Sequence, residues 1–407
     1  MTRTTFRRAS LGLLVMTGAA MVYAQGEREN EPAEPRSPVP IERDVVASGL
    51  KRPWGLAFMP GGGFLVTEKQ GGLIRIQANG QRTSVSGLPN DIDIERRERG
   101  DNSGLFDVVL HPKFRRNGVL FISYAAKGPG GTATKLIRAV LEGNGLRHVQ
   151  TLLEAGPRRE GRFHYGGGLL IGPDEKLYLS VGERHYAESE NPPLPVAQDI
   201  TDRRGKIYRL NLDGSIPRNN PPLGAGAVPG VYAMGIRATQ GFALQPSGRR
   251  IWFSEHGTIG GDEVNILRPG ANYGWPNRTS GGYRSQGYAP PSRPGVTFTD
   301  PQHVWTGRTV APTGLTFYSG TAFPEWRGDL LVAGLRRGYL MRLDVEGEDV
   351  RGVEYLLEDA PVRLRNVKQS PDGQLYVLTD EDDGKLIRLV RGGDGPPRAM
   401  EARNKTL

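Results

Sequence analysis

The chain has 407 residues, of which 37% are hydrophobic, enough to bury a substantial core. Its 57 glycines and 31 prolines favour short strands and turns over long helices, and the absence of cysteine excludes disulfides and thiolate metal sites. The net charge of +9 is scattered without long basic runs, which argues against a nucleic-acid partner and leaves a small anionic ligand or simple solubility as its explanation.

Residues 1–24 have the pattern of a signal peptide. Arg3, Arg7 and Arg8 precede an apolar run over 11–22, and Val22-Tyr23-Ala24 is a small-residue cleavage site. Cleavage there removes three arginines and no acids, which leaves a net charge of +6. The arginine pair is also found in twin-arginine signals, so both export routes stay open. No later stretch reaches the ~20 apolar residues of a membrane span, so we expect a periplasmic or secreted protein.

The rest of the chain divides into a disordered leader at 25–42, a folded domain at 43–392 and a polar tail at 393–407. The leader is rich in Glu, Arg and Pro and has little to bury. Inside the domain, one unit recurs: an apolar strand, a turn with Pro, Gly or Asp, and a second alternating strand. Its six copies lie at 55–69, 107–124, 168–183, 241–257, 314–334 and 366–380.

Six related units of short strands predict an all-β, six-bladed β-propeller of four-stranded antiparallel blades. A β-sandwich of this length would not explain the repetition. Because propellers carry function in loops at one end of the channel, we expect chemistry where the second strand of a unit ends. Polar residues at those points are Glu183, Arg184, His185, Glu255, His256, Arg336 and Asp380.

His164 precedes three glycines, where the backbone is open to close approach, and its imidazole could take a proton from a substrate hydroxyl. A loop histidine bonded to a main-chain carbonyl is the simpler alternative. Glu183, Asp262 and Glu263 are hard oxygen donors of the kind that suit Ca²⁺, although solvated turn carboxylates would look the same.

Four arginines could bind carboxylate groups: Arg237, Arg336, Arg363 and Arg365. Arg363 and Arg365 lie two apart and would face the same side of a strand, as they also would on an exposed edge strand. There is no Gly-x-Ser-x-Gly, His-Glu-x-x-His or G-x-G-x-x-G motif, which argues against a serine hydrolase, a zinc protease and a Rossmann-type cofactor site.

Several motifs follow one another along the chain: PWGLAF (53–58), GLFDVVLHPKF (104–114), FHYGGGLLIGPD (163–174), AQDITDRRGKIYRL (197–210), EHGTIGGDEVNIL (255–267), PGANYGWP (269–276) and VRLRNV (362–367). In these motifs and their order, the chain from about 45 to 390 resembles the soluble pyrroloquinoline-quinone (PQQ)-dependent sugar dehydrogenases, the glucose/sorbosone or aldose sugar dehydrogenase group. The resemblance implies a six-bladed propeller, in agreement with the repeat count.

The resemblance also implies roles for individual residues. His164 matches the general base for the sugar C1 hydroxyl, with Glu183 orienting it, and Arg237 matches the arginine above the quinone. The carbonyls of Gly257 and Thr258 match those that hold a catalytic Ca²⁺. The remaining matches are cofactor contacts at Asp101, Gln240, Arg336, Arg363 and Arg365, and a second, structural Ca²⁺ site at Glu263 and Tyr273.

Four positions depart from the family pattern. Asp101 stands where the family usually has Gln, Glu183 where it has Asp, Ala238 where it has Asn, and Arg336 where it has Lys. Two alternatives to a sugar dehydrogenase that passes electrons to a soluble acceptor stay open. The changes at Asp101 and Ala238 suggest a sugar-binding propeller without productive quinone binding, and related propeller architectures that hydrolyse lactones suggest a Ca²⁺-dependent lactonase. The preferred sugar, the electron acceptor and the oligomeric state do not follow from the sequence.

Overall fold

The computed structural model describes residues 39–94, 101–247, 249–336, 338–358 and 362–393. Over these residues, six four-stranded antiparallel sheets form a six-bladed β-propeller, which confirms the predicted fold class. The expected signal peptide, nearly all of the expected leader and the tail from residue 394 lie outside the described residues.

The strands are, in chain order, β1 (Ile41–Leu50), β2 (Pro53–Phe58), β3 (Phe64–Glu68), β4 (Gly72–Ile76), β5 (Arg82–Ser84), β6 (Leu105–Leu110), β7 (Val119–Gly128), β8 (Gly131–Glu142), β9 (Gly145–Glu154), β10 (Gly166–Ile171), β11 (Leu177–Val181), β12 (Lys206–Leu210), β13 (Val231–Met234), β14 (Thr239–Gln245), β15 (Arg250–Glu255), β16 (Asp262–Ile266), β17 (His303–Trp305), β18 (Pro312–Phe317), β19 (Leu330–Gly334), β20 (Leu340–Glu346), β21 (Asp349–Leu356), β22 (Leu364–Gln369), β23 (Leu375–Thr379) and β24 (Gly384–Arg391). Two short helices, α1 (Phe114–Asn117) and α2 (Tyr186–Glu190), and two 3₁₀ turns, Val196–Gln198 and Pro324–Trp326, interrupt them. No helix in the described part of the chain is long and apolar enough to cross a membrane.

Blades 1 to 5 each use four consecutive strands: β2–β5, β6–β9, β10–β13, β14–β17 and β18–β21. Each predicted repeat copy corresponds to the first two strands of a blade and the turn between them. The first strand of every blade contacts the first strands of its two neighbours, so these six strands form the inner ring around the channel. The repeated hairpin is therefore the inner half of each blade.

Blade 6 is closed by both ends of the domain. It contains β22, β23 and β24, and its outermost strand is β1, which pairs antiparallel with β24 from Ile41 opposite Arg391 to Leu50 opposite Gly384. The first strand thus begins two residues before the boundary expected at 43. This pairing joins the first and last described strands in one blade and so closes the ring.

Among the described residues, six of the hydrophobic core clusters lie one between each pair of adjacent blades. Between blades 4 and 5, for example, Trp252 packs with Val332 and Met341, and all three are fully buried. Each blade buries its two apolar faces only against its neighbours, so the ring must close before every face is covered.

Polar bonds near the channel reinforce these interfaces. Ser123 Oγ donates to the Gly167 carbonyl at 2.5 Å, Ser180 Oγ to the Thr239 carbonyl at 2.8 Å, and Ser254 Oγ to the Thr313 carbonyl at 2.6 Å. Each donor lies on the second strand of one blade and each acceptor on or beside the first strand of the next. These bonds fix neighbouring inner strands relative to one another, and with them the residues at the strand ends.

Candidate active site

The candidate site lies at the end of the channel where the six inner strands begin. Every inner strand has a register irregularity there, between Pro53 and Leu56, Leu105 and Val108, Gly166 and Leu169, Thr239 and Gly241, Pro312 and Leu315, and Leu364 and Asn366. Such bulges bend strands and re-aim side chains at rims and active sites. Because the second strand of each blade runs antiparallel to the first, its carboxyl end reaches the same mouth.

A small pocket opens at this mouth. Its lining comes from five of the six blades and consists of Trp54, Asn102, Phe106, His164, Tyr165, Gly166, Ala238, Gln240, His256 and Arg365. Aromatic rings form the floor, since Trp54, Phe106 and Tyr165 are buried in one apolar cluster with Ala125. The polar groups around this apolar floor include three sequence candidates, His164, Gln240 and Arg365.

His164 is held by a buried carboxylate. Its Nδ1 lies 2.6 Å from Glu183 Oε1, and the other carboxylate oxygen of Glu183 accepts the backbone N–H of Ala187 at 3.0 Å. Burial, together with the positive charge of Arg237, lowers the pKa of His164 to about 3 against the opposing effect of Glu183. Burial acts to raise the pKa of Glu183, but its hydrogen bond with His164 and nearby positive charge lower it to about 2. At neutral pH the imidazole is therefore neutral, with Nδ1–H donating to an ionised carboxylate and Nε2 keeping its lone pair.

The backbone around this pair is strained. His164, Arg184 and His185 have φ angles of 46°, 64° and 57°, in the left-handed region that favours glycine. A Cβ atom at Gly182 would collide with the His164 carbonyl, so glycine is needed where β11 passes the histidine. Arg184 stabilises this arrangement, because it lies 3.6 Å from the centre of the Tyr165 ring and donates to Thr132 Oγ1 at 2.7 Å. Strain of this kind is typical of functional sites.

Arg237 lies buried beside the histidine pair. Its carbonyl accepts the Glu183 N–H at 2.9 Å, and its own N–H donates to Glu255 Oε1 at 2.6 Å. Its guanidinium donates to the Gly257 carbonyl at 2.6 Å and lies 5.0 Å from the centre of the Trp275 ring. Because guanidinium groups keep their charge in proteins, this is a fixed cation near His164.

Arg363 and Arg365 share one buried carboxylate. Asp380 Oδ2 accepts from Nη2 of each arginine at 2.9 Å, and Arg365 also donates to Gln240 Oε1. The Arg365 side chain is 1% exposed, whereas that of Arg363 is 51% exposed. Burial acts to raise the pKa of Asp380, but Arg365, Lys69 and Arg363 lower it well below its usual range. Two cations therefore meet one anion, which leaves a net positive charge at this side of the mouth.

The loop after β15 presents backbone carbonyls. Asp262 holds it, since Oδ1 accepts the Gly257 N–H at 2.8 Å and Oδ2 accepts the N–H groups of Val310 and Ala311 at 2.7 and 2.8 Å. The Thr258 hydroxyl donates to the Gly282 carbonyl, and the Thr258 carbonyl accepts from Arg284 Nη2 at 3.4 Å. The carbonyls of Gly257 and Thr258 are thus held in place next to Arg237.

Comparison with known proteins identifies the family of this chain. The family model described as Glucose / Sorbosone dehydrogenase matches residues 50–388. The chain belongs to this family. The resemblance inferred from its motifs is therefore confirmed.

Individual relatives agree with this assignment. The chain is 34% identical to the aldose sugar dehydrogenase YliI of Escherichia coli, over 87% of this chain and 94% of the relative. It is 35% identical to an uncharacterized protein of Synechocystis, over 86% of each. The structure of the PQQ-bound form of an aldose sugar dehydrogenase from Streptomyces coelicolor is similar with a TM-score of 0.69 and 26% identity, over 87% of this chain and 99% of that one.

Two residues that match cofactor contacts of the family, Asp101 and Arg336, lie outside the pocket lining. Asp101 is buried and lies 4.0 Å from Arg162 Nε, while its neighbour Asn102 lines the pocket. Arg162 also pairs with the buried Asp93 at 2.7 Å, so its charge is shared between two carboxylates. Arg336 is exposed, and its backbone N–H donates to the Val310 carbonyl at 3.1 Å.

Glu263 is half-buried on β16, and Tyr273 is buried in the core between blades 3 and 4. Burial raises the pKa of Glu263 to about 7, and its Oε2 accepts from Asn265 Nδ2 at 3.2 Å. The Tyr273 hydroxyl donates to the Ile266 carbonyl at 2.6 Å and accepts the Arg268 N–H at 2.9 Å. No group of three or more His, Asp or Glu side chains suited to a metal ion occurs in the described part of the chain. A second calcium site at Glu263 and Tyr273 stays a prediction.

Three groups of site residues were missed or left without a role by sequence reasoning. His256 lines the pocket, Asp380 joins Arg363 to Arg365, and Trp54 and Phe106 form the floor. A usable signal existed for Asp380, because the hairpin β22–β23 pairs Leu364 with Thr379 and so brings residues 363 and 380 together. Trp54 and Phe106 occupy equivalent positions in β2 and β6, at the start of the inner strand.

Proposed function

We propose that this protein is a PQQ-dependent dehydrogenase that oxidises the C1 hydroxyl of aldose sugars to lactones. One observation carries the proposal: a histidine oriented by a buried carboxylate shares a pocket with the buried Arg365, whose partner Asp380 is also shared with the more exposed Arg363. The first feature suits proton removal from a hydroxyl, and the second suits a multiply anionic cofactor. Family membership supports the same chemistry.

Unpaired polar atoms support a bound ligand at this mouth. Arg237 Nε, Arg365 Nε and His256 Nε2 are buried and have no hydrogen-bond partner among the described residues. Unsatisfied buried polar atoms are costly, and in native proteins they commonly mark a site that a ligand or water completes. PQQ, a flat tricarboxylate, would supply acceptors to both guanidinium groups, so the residues present fit it.

Calcium is the second implied group. The carbonyl oxygens of Gly257 and Thr258 are the hard donors that Ca²⁺ prefers, and each keeps a second lone pair beside the guanidinium hydrogen bond that it accepts. We infer that these two carbonyls would hold a catalytic Ca²⁺. When bound, PQQ supplies the two-electron acceptor for the hydride that leaves C1, and Ca²⁺ polarises its carbonyl as a Lewis acid.

His164 takes the proton of the sugar C1 hydroxyl on Nε2. Glu183 fixes the ring through Nδ1, keeps the lone pair on the opposite nitrogen and stabilises the imidazolium that forms. Since Glu183 is ionised and buried, it offsets part of the effect of burial and Arg237 that makes His164 a weak base. The carboxylate is therefore needed for basicity as well as for orientation.

The arginines hold the anionic cofactor. Arg365 is buried and bonded to Asp380 and Gln240, whereas Arg363 and Arg336 are more exposed and lie outside the pocket lining. Arg237 lies beside the base and would stabilise negative charge that develops on the reduced cofactor oxygen. The sequence further supports export to the periplasm and transfer of electrons to a soluble acceptor.

Reconstitution tests the proposal. Apoprotein would be mixed with PQQ and Ca²⁺, and reduction of a redox dye would be followed with a panel of aldoses, with the His164→Ala variant as control. We expect aldose-dependent dye reduction that is lost in the variant. Sugar binding without bound quinone would instead indicate a binding module, and quinone-independent lactone hydrolysis would indicate a lactonase.

A further inference from the structure

Two long loops cover one side of the mouth. The base loop, residues 182–205, connects β11 to β12 and carries Glu183, and the wall loop, residues 267–302, connects β16 to β17. Backbone hydrogen bonds to β13, β15 and β16 hold the two ends of the wall loop, whereas its middle part contacts the base loop through the side chain of Glu188. Loops of this length have many conformations to lose, and only specific contacts select one of them.

Glu188, on α2 of the base loop, makes the most direct contact between the two loops. Its Oε2 accepts the backbone N–H of Arg284 at 2.5 Å and that of Ser285 at 3.0 Å, and its carbonyl accepts the Ser285 hydroxyl at 3.2 Å. Glu188 is 7% exposed and does not line the pocket. Hydrogen bonds from backbone N–H groups to a buried carboxylate are among the stronger ones in proteins.

On the base loop, this contact is linked to His164 through Glu183. The N–H of Ala187, one residue before Glu188, donates to the same Glu183 carboxylate that holds the His164 ring. A movement of α2 would therefore move the carboxylate that orients the base.

The other end leads to the candidate calcium carbonyls. We name residues 282–285 the bridge. Gly282 and Ile259 exchange two backbone hydrogen bonds, each 3.1 Å long. The Thr258 hydroxyl donates to the Gly282 carbonyl, and Arg284 Nη2 donates to the Thr258 carbonyl at 3.4 Å. The bridge thus contacts Glu188 on one side and the 257–259 loop on the other.

We infer that Glu188 is a positioning residue that acts through the bridge to fix the Gly257 and Thr258 carbonyls relative to His164. The inference rests on the proposed function, in which these groups act on the same reaction. A second tie between the loops, the reciprocal amide pair of Gln198 and Asn272, lies deeper and does not contact the bridge. Loss of Glu188 therefore removes the hydrogen bonds between α2 and the bridge, while the Gln198–Asn272 pair and the packing of Tyr283 against Ala187 and Trp275 stay in place.

Kinetics of Glu188→Ala and Glu188→Gln test the inference in the reconstituted full-length protein. We expect kcat to fall by about 10–100-fold in Glu188→Ala, because small displacements of reacting groups cost that much, with the PQQ dissociation constant changed by less than about threefold. Glu188→Gln keeps one acceptor oxygen, so its kcat should lie between those of Glu188→Ala and the wild type.

Asp329→Ala and Asp329→Asn are the matched controls. Asp329 is an equally buried carboxylate that pairs with Arg342 at 2.9 Å, at the amino end of β19 and so away from the mouth. These variants should lower Tm without changing kcat of the folded protein. A kcat within twofold of the wild type in Glu188→Ala, or an equal loss in Asp329→Ala, would overturn the inference.

Hydrogen exchange of the apoprotein gives a readout that needs no turnover. In Glu188→Ala we expect faster exchange in peptides that span 184–190, 282–286 and 257–261, and unchanged exchange in β22 and β23. If exchange becomes faster only in 282–286, Glu188 does not couple the base loop to the 257–259 loop, and the inference is wrong. If the wild type shows no turnover with any aldose, the proposed function fails, and the exchange result alone decides whether Glu188 couples the two loops.

Discussion

The two sides of the mouth differ in how their charged side chains are paired. On the base side, His164 and Glu183 form one pair with one fixed hydrogen bond, and both residues are largely buried. On the arginine side, Arg363 and Arg365 share the single carboxylate of Asp380, and the more exposed Arg336 adds a third cation.

This difference separates chemistry from binding. On the base side, both carboxylate oxygens of Glu183 are already bonded, to His164 Nδ1 and to the Ala187 N–H, so the base is oriented before a ligand arrives. The arginine side has unbalanced positive charge and an unpaired buried Nε on Arg365, so an anion would complete it. Changes on the base side should therefore affect kcat, and changes on the arginine side should affect cofactor affinity.

The largest effect is expected from Glu183→Gln. The amide removes the negative charge that stabilises the imidazolium and permits the wrong tautomer of His164, so kcat should fall by about 10²–10⁴-fold. Stopped-flow reduction of the bound cofactor by sugar measures this directly. PQQ affinity, measured by absorbance titration, is the control and should change by less than about threefold. An equal loss of affinity and kcat would contradict the division between the two sides.

Arg365→Ala should weaken PQQ binding by about 10–100-fold, as expected for the loss of a charge-assisted bond at a buried site. Arg365→Lys keeps the charge but loses the planar fork, so it should recover only part of the affinity. Equilibrium titration of PQQ into apoprotein measures both. A drop in kcat at saturating PQQ that exceeds the loss in affinity would show that Arg365 acts in the chemical step.

Arg336→Ala should have a smaller effect, about two- to fivefold in PQQ affinity, because an exposed charge is screened by solvent and salt. The loss should shrink further as ionic strength rises, whereas the effect of Arg365→Ala should persist. Titrations at low and high salt for the two variants make the comparison. An Arg336→Ala loss that does not depend on salt would place this residue in a dehydrated contact with the cofactor.

The smallest effect concerns pH and stability. Burial, opposed by Asp262 and assisted by Arg237 and Arg365, lowers the pKa of His256 to about 4. The unfolded chain binds this proton near pH 6.5, so the contribution of His256 to stability decreases as pH falls from about 6.5 towards 4. The pKa of Glu263 is raised from 4.5 to about 7, so its contribution to stability has the opposite dependence and decreases as pH rises from about 4.5 towards 7.

The difference between wild type and His256→Gln therefore isolates the histidine. We expect the decrease in Tm between pH 7 and pH 5 to be smaller in the variant. A pH dependence identical to that of the wild type would mean that His256 is protonated in the folded protein.

Much of the fold could be predicted from the sequence because the pattern of apolar and turn residues that specifies it is local. In each repeat, alternating apolar residues on either side of a turn predict a β-hairpin. Each hairpin is the inner half of one blade, so six hairpins predict six blades. The contribution of β1 to blade 6 could not be read in this way, because it pairs residues about 340 positions apart in a chain whose leader looked polar throughout. The roles assigned to His164, Glu183 and Arg237 by resemblance stay predictions, but the structure does bring these residues together.

The sequence by itself determined the propeller, its blade count and the residue types available for proton transfer and anion binding, since these follow from short-range pattern and composition. Only the tertiary structure decided that Asp101 faces Arg162, that Asp380 joins two arginines and that Glu188 links the two loops over the mouth. Those contacts join residues from separate loops, and their geometry depends on how closed blades place the loop ends. That placement is a property of the whole ring, so no local pattern encodes it.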